Sequence, residues 1–287
     1  MTTALIVGSL HYDIMVEADH LPRRDETAVG SRWYPKFGGK GGNQAVALAR
    51  AGVPTRMAGA VGDDAFGRFL RDRLHGAGVD DRFVSTLAET GSGISVAILD
   101  RAGDYAATIV SGANLAIDAS RLTDPALWQD VGLLVLQNEV PEAVNLAAAG
   151  AARHRGLPVV LNAAPFRPLP AGLLSRVTHL VVNAVEAESL GSPPVTSLTT
   201  AEAAARQLAP LAPNVIVTAG AQGLAAAFGA ETVSVPAKTV QVVSTHGAGD
   251  AFIGALAAAI LAGTPLPRAC AQAAHAAALH VSGHTAT

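Results

Sequence analysis

The sequence has little cysteine, little charge and few aromatic side chains. A single cysteine among 287 residues rules out an internal disulfide, and with it a stapled secreted scaffold. A reduced compartment fits, and Cys270, in an Ala-rich helical stretch, reads as a buried, inert thiol. Charged residues are only 15% of the chain, the formal net charge is −3, and no basic block occurs. That argues against a nucleic-acid partner, though not against a nucleotide. The longest uncharged apolar run, Ala251 to Gly263, is too short to span a bilayer. Met1 to Val7 carry no basic segment and no long apolar core, so no signal peptide is read. The expectation is a soluble, cytoplasmic protein with no membrane partner. Aromatic residues, at 4%, say nothing about function.

Several catalytic signatures are missing too. Lys40 is followed by Gly41, which breaks the Walker pattern. Gly8 stands alone after the first apolar run, so the dinucleotide fingerprint fails. There is no G-x-S-x-G elbow and no H-E-x-x-H. His280 and His284 are four apart, but Ser282-Gly283 breaks the helix and no carboxylate completes a metal site.

What is present is a hydrophobic fraction of 50%, ample for a large core, and a β–α alternation along the chain. Strands are read at Ala4–Val7, Arg56–Val61, Gly132–Leu136, Pro158–Leu161, His179–Val182, Asn214–Thr218, Leu224–Phe228, Val233–Pro236 and Val240–Val243. Helices are read from Asp63-Asp64 through Leu74, from Pro141 to about Arg155, and over Leu266–Val281. Two further apolar helices, Ala45–Arg50 and Ala251–Leu261, each follow a glycine run. The pattern predicts one α/β domain over residues 1–287, a mostly parallel sheet with helices on both faces. Segments 10–37 and 93–111 are β-prone excursions from it, the second a hairpin through Asp100-Arg101-Ala102-Gly103-Asp104.

Chemistry concentrates in Ser244-Thr245-His246-Gly247-Ala248-Gly249-Asp250. Glycines bring backbone N–H groups close to a ligand, and a helix start adds unpaired N–H groups and a positive dipole end. Together they suit a phosphate. Asp250 is then placed either to cap the helix or to take a proton from an attacking hydroxyl. A second run, Phe37-Gly38-Gly39-Lys40-Gly41-Gly42-Asn43-Gln44-Ala45, also precedes an apolar helix.

This pair of motifs resembles the ribokinase-like (PfkB) family of sugar and nucleoside kinases, and the G-G-K-G-x-N-Q-A-V-A form is most similar to its ribokinase branch. The resemblance covers nearly the whole chain. It implies a ribokinase-like α/β fold, ATP as co-substrate, Mg²⁺, and phosphorylation of a hydroxymethyl group of a sugar, most simply a pentose such as D-ribose. Asp250 would be the general base, and the Gly247, Ala248 and Gly249 backbone the anion hole. Asp13, Gly39, Lys40, Asn43 and Glu139 would hold the sugar, with His11 where ribose kinases usually carry Asn. Asn114 would frame the pocket or serve a turn. Asn183 and Glu186 form the N-x-x-E element, which would serve Mg²⁺ and phosphate, although a capping box would look the same. Thr218, Gly220, Gly223 and Thr245 would line the nucleotide edge. His275 would lie near the adenine or be a half-buried helix histidine. The β excursions would form a lid over the sugar and a homodimer contact.

Two departures affect expectations. His11 leaves room for a nucleoside or a modified sugar as acceptor, although only Trp33, Tyr34 and Phe37 are near enough to stack a base. Ser244 replaces an Asp that helps bind a monovalent cation in the family, and the sequence stops at Thr287, soon after Thr285-Ala286, so weak potassium activation is expected. The reading from another class is a non-catalytic sugar- or nucleotide-binding regulator.

Overall fold

Apolar runs that alternate every second residue feed two faces of one sheet, and the helical patterns between them cover those faces. The computed structural model describes residues 2–102 and 104–283. The first part of the chain forms β1 (Thr3–Val7), β2 (His11–Ala18), β3 (Gly30–Gly38), α1 (Lys40–Arg50), β4 (Thr55–Gly62), α2 (Ala65–Gly76), β5 (Asp80–Leu87), β6 (Gly93–Leu99) and β7 (Tyr105–Val110). The middle forms β8 (Val131–Gln137), α3 (Glu142–His154), β9 (Val159–Asn162), α4 (Ala171–Leu174), β10 (His179–Asn183), α5 (Ala184–Ser189) and α6 (Leu198–Leu208). The last part forms β11 (Asn214–Thr218), β12 (Leu224–Phe228), β13 (Glu231–Val235), α7 (Ala248–Leu261) and α8 (Leu266–Val281).

The large sheet has nine strands in the order β13-β12-β11-β10-β9-β8-β1-β4-β5. It is parallel from β5 through β11 and antiparallel at β12 and β13. Leu5 and Val7 of β1 pack toward α3–α6, while Ala4 and Ile6 pack toward α1, α2, α7 and α8. Each fully buried Leu or Ile here contributes roughly 1.5–3 kcal/mol. Cys270 is buried in the second of these layers, as expected.

A second sheet of four strands runs β3-β2-β6-β7. The two β-prone excursions therefore pair with each other: β2 lies antiparallel to β3 and parallel to β6. Its outermost strand β7 is exposed along its length, including Tyr105, Ile109 and Val110.

Some expectations need correction. Val240–Val243 is not a strand; Gln241, Val242 and Val243 are exposed, and the N–H groups of Val243 and Ser244 go to the Val281 carbonyl at 2.7 and 3.2 Å, at the end of α8. The sheet closes at β13, so this run has no neighbour to pair with. Helix α1 begins at Lys40 rather than Ala45, and α7 at Ala248 rather than Ala251. Strand β5 was not anticipated because it is a polar edge strand in which only Val84 is buried. Helix α5 was anticipated only as the capping-box alternative at Asn183–Glu186, and α6 not at all, although Ala201, Ala204, Ala205 and Leu208 have helical spacing. Gly103, His284, Thr285 and Ala286 lie outside the described residues.

Candidate active site

The ends of β1 and β8 and the starts of α1 and α7 come together on the carboxyl side of the parallel sheet, where open α/β sheets place their ligands, and β10 ends on the same side. Backbone proximity sets this up. A Cβ on Gly41 would fall 2.6 Å from Gly8 C and Ser9 N, so α1 can only touch the end of β1 through glycine. Gly39, at φ 84°, caps α1 in a conformation that favours glycine. The glycine run is thus a helix start and not a loop.

Gly247 caps α7 at φ 80°. Asp250 stands three residues further, inside the first turn, and does not cap. Instead it accepts Asn43 Nδ2 at 3.1 Å and Gln44 Nε2 at 3.0 Å, both from α1. The capping alternative is therefore overturned. Asp250 is 8% exposed; burial raises its pKa above the ordinary carboxylate value, and the nearby Lys40 ammonium opposes that rise. Beside it, the Ala248 N–H turns back to the Thr245 carbonyl at 3.3 Å. Among the described residues, no acceptor takes the N–H of Gly247 or Gly249. His280 of α8 donates Nε2–H to the His246 carbonyl at 2.9 Å, which fastens this loop to α8.

On the other side lie residues of β1, β2 and β8. Asp13 is buried and accepts a hydrogen bond from Ser95 Oγ across the β2–β6 pair. Burial raises its pKa, while Ser95, His11, His246 and Lys36 pull it down. Gly38 is required there: its Cβ would lie 2.1 Å from Asp13 Oδ2. Glu139, just past β8, accepts the Lys40 N–H at 2.8 Å and the Ser9 hydroxyl. His11 Nδ1 lies 3.9 Å from Glu139 Oε2, and its buried Nε2 has no partner. Asn114 does not open into this space. It is fully buried and clasps the Leu10 backbone, taking Leu10 N–H at 2.9 Å and donating to Leu10 O at 2.8 Å and Ser111 O at 2.9 Å.

Asn183 and Glu186 make the capping box of α5, with Asn183 N–H donating to Glu186 Oε2 at 2.8 Å and Glu186 N–H to Asn183 Oδ1 at 2.9 Å. Burial raises the Glu186 pKa, and Lys40 opposes it. The Lys40 charge thus acts on both Asp250 and Glu186. Thr218 ends β11, and Gly220 and Gly223, at φ 53° and 108°, shape the turn into β12. Thr245 is exposed on the approach to α7. His275 is exposed rather than half-buried; its Nδ1 lies 3.0 Å from Lys238 Nζ, because α8 turns that face outward. Reading the sequence did not single out Ser9, Gln44, Lys36, Ser95 or His246. Gln44 stood inside the second glycine motif; Ser95 and Lys36 are tied to Asp13 only by strand register.

Among the described residues no cluster of three or more His, Cys, Asp or Glu could hold a metal, and no helix is long and apolar enough to cross a membrane.

The sequence pattern of the pfkB family of carbohydrate kinases matches residues 1–287. A ribokinase of Bacillus subtilis strain 168 is 34% identical over 282 residues, covering 98% of this chain and 93% of that protein. A deoxyribokinase of Salmonella typhi is 32% identical over 255 residues, covering 88% of this chain and 83% of that protein. The structure of Arabidopsis thaliana ribokinase complexed with ribose and ATP matches this fold with a TM-score of 0.90 at 31% identity, covering 98% of this chain and 93% of that one.

Proposed function

The chain belongs to the pfkB family of carbohydrate kinases and has the ribokinase-like fold, and from that premise we propose that it transfers the γ-phosphoryl group of ATP to a hydroxymethyl group of a sugar, most simply a pentose such as D-ribose. The observation that carries the mechanism is Asp250: a buried carboxylate, held by two amides of α1, at a helix start whose Gly247 and Gly249 N–H groups have no acceptor among the described residues.

The acceptor hydroxyl gives its proton to Asp250 as its oxygen bonds to the γ-phosphorus. The bond from that phosphorus to the bridging oxygen breaks, and the electron pair leaves on ADP. The N–H groups of Gly247, Ala248 and Gly249 meet charge developing on the transferred group, and the positive end of α7 adds to them. Lys40 shields Asp250 from the incoming phosphate charge, so a carboxylate and an anion can share the space. Asp13, Gly39, Asn43 and Glu139 hold the sugar; Asn43 Oδ1 remains for it, since Nδ2 is bonded to Asp250. Thr218, Gly220, Gly223 and Thr245 line the nucleotide side.

The residues present fit Mg²⁺ held mainly by phosphate oxygens and water, because such an ion needs only one or two carboxylates. Glu186, with Asn183, is the carboxylate at that position, each oxygen accepting one hydrogen bond within the capping box. When bound, the ion would neutralise phosphate charge. Ser244 brings no charge to a monovalent-cation site; its Oγ accepts the His246 N–H at 3.3 Å. Weak potassium activation follows. The exposed apolar side chains of β7 support a homodimer through the four-stranded sheet.

The test is ADP release with Mg-ATP across ribose, deoxyribose, other pentoses, hexoses, fructose phosphates and nucleosides. Turnover of at least one sugar is expected. Sugar binding by calorimetry without phosphoryl transfer to any acceptor would refute the mechanism and favour a non-catalytic binder.

A further inference from the structure

We infer that the acceptor of this kinase carries an anionic group, a carboxylate or a phosphate, which Lys36 receives beside Asp13 with His11 and His246 completing the pocket. The inference rests on the kinase reading above and replaces its simplest acceptor, a neutral pentose, with an anionic sugar derivative.

Strand register places Lys36. In the antiparallel β2–β3 pair Lys36 stands directly opposite Asp13, so the two side chains share one face of the small sheet. That face is the one that looks into the cleft, because Asp13, His11 and their β6 partners Ser95 and Gly93 all lie on it. Lys36 is only partly exposed. Desolvation depresses its pKa and Asp13 pulls it back, so it is a cation with a single carboxylate influencing it. Even that carboxylate is not an ion-pair partner: among the described residues no carboxylate oxygen lies within 4.0 Å of the Lys36 ammonium. Asp13 already accepts the Ser95 hydroxyl. A partly desolvated ammonium without a partner is costly, and an anion arriving with the ligand offsets that cost.

The surroundings point the same way. His11 is 4% exposed; its Nδ1 lies 3.9 Å from Glu139 Oε2, and its buried Nε2 has no partner. His246, on the loop before α7, is exposed; desolvation lowers its pKa, and the charges of Lys36, Asp13 and Lys40 all act on it. It remains a hydrogen-bond donor in neutral form. Lys40 stands between the two sides: its charge acts on Asp250 and Glu186 and also on His246. Glu139, the other carboxylate of this wall, is taken up by the Ser9 hydroxyl and the Lys40 N–H. Among the described residues Lys36 is therefore a positive charge of the acceptor side that no carboxylate meets at ion-pair distance, Asp13 acting on it only from beyond 4.0 Å. A neutral polyol would use Asp13 and the imidazoles but would leave the Lys36 ammonium without an ion-pair partner.

The test compares matched acceptors that keep a free hydroxymethyl group: D-ribose with D-ribonate, and D-fructose with D-fructose 6-phosphate. Phosphoryl transfer is followed by ADP release at low and high salt. The expected result is kcat/KM at least about tenfold higher for one charged member than for its neutral partner, with the ratio falling as salt screens the contact. The ribonate arm reports a carboxylate and the fructose arm a phosphate. Lys36→Met should collapse the charged-to-neutral ratio, and Lys36→Arg should restore most of it, which a merely structural role for Lys36 would not produce. Preference for the neutral member in both pairs, or an unchanged ratio in Lys36→Met, overturns the inference and leaves the kinase reading standing. Failure to phosphorylate any of the four, with nucleosides and other sugars equally inert, overturns the kinase reading and this inference with it.

Discussion

Replacing Asp250 with Asn separates the base from the scaffold that holds it. The substitution keeps the size of the side chain and removes its ability to take a proton. General-base assistance is worth about 10²–10⁴-fold, or about 3–5 kcal/mol at 1.36 kcal/mol per tenfold. So kcat should fall by about that factor. Affinity for ATP should hold, because the Gly247 and Gly249 N–H groups belong to the backbone. The fold should hold as well. Gln44 Oε1 is buried without a partner, so the Gln44 amide can turn over and accept the new Asn N–H. Titration argues in the same direction. Burial raises the Asp250 pKa in the folded state, so the folded protein binds more protons than the unfolded one between the ordinary and the raised value. Stability then declines as pH rises through that window, and Asn removes the decline. In the wild type the same carboxylate must be ionised to act. Its acid limb in kcat/KM should therefore lie above the ordinary Asp range, and Asp250→Asn should flatten it. Single-turnover kinetics, nucleotide binding by calorimetry and thermal melts read all three. A variant that keeps kcat within about tenfold of wild type would refute the assignment of Asp250 as base.

Asp13→Asn should raise the acceptor KM more than it lowers kcat, with the ATP KM unchanged, because Asp13 lies on the sugar wall and not at the helix start; equal loss in ATP KM would contradict this. Asn114→Ala leaves the Leu10 N–H and carbonyl buried without partners, and denaturant unfolding should show a loss of about 2–4 kcal/mol. Gly254→Ala puts a Cβ 2.5 Å from Ala47 Cβ where α7 crosses α1. A loss of stability of about 1–3 kcal/mol is expected, with a fall in kcat because Asp250 and Asn43 ride on those two helices. Cys270 is fully buried and its thiol is pushed up to about 12, so a thiol reagent should modify it only after denaturation.

The sequence by itself determined the chemistry-bearing segments. Glycines 39, 247 and their neighbours, followed by apolar helices, are local signals, because a positive φ and a helix start depend on a few adjacent residues. The parallel sheet was also legible, since buried strands such as Leu133–Leu136 are continuous apolar runs. Edge strand β5 was not, because an edge needs little apolar surface and leaves little pattern. The Val240–Val243 run shows the converse: β-prone residues form no strand where the sheet offers no neighbour. The N-x-x-E element was ambiguous in sequence; in the structure it closes a capping box, and its carboxylate, which also feels Lys40, keeps the metal role proposed above. Only the tertiary structure decided that Asp250 is gripped by Asn43 and Gln44, two hundred and more positions away in the chain. Only strand register set Lys36 opposite Asp13 and Ser95 beside it. Such pairings join residues that no local periodicity relates; they exist because a sheet fixes neighbours across strands, and a sequence carries no direct record of which strands will meet.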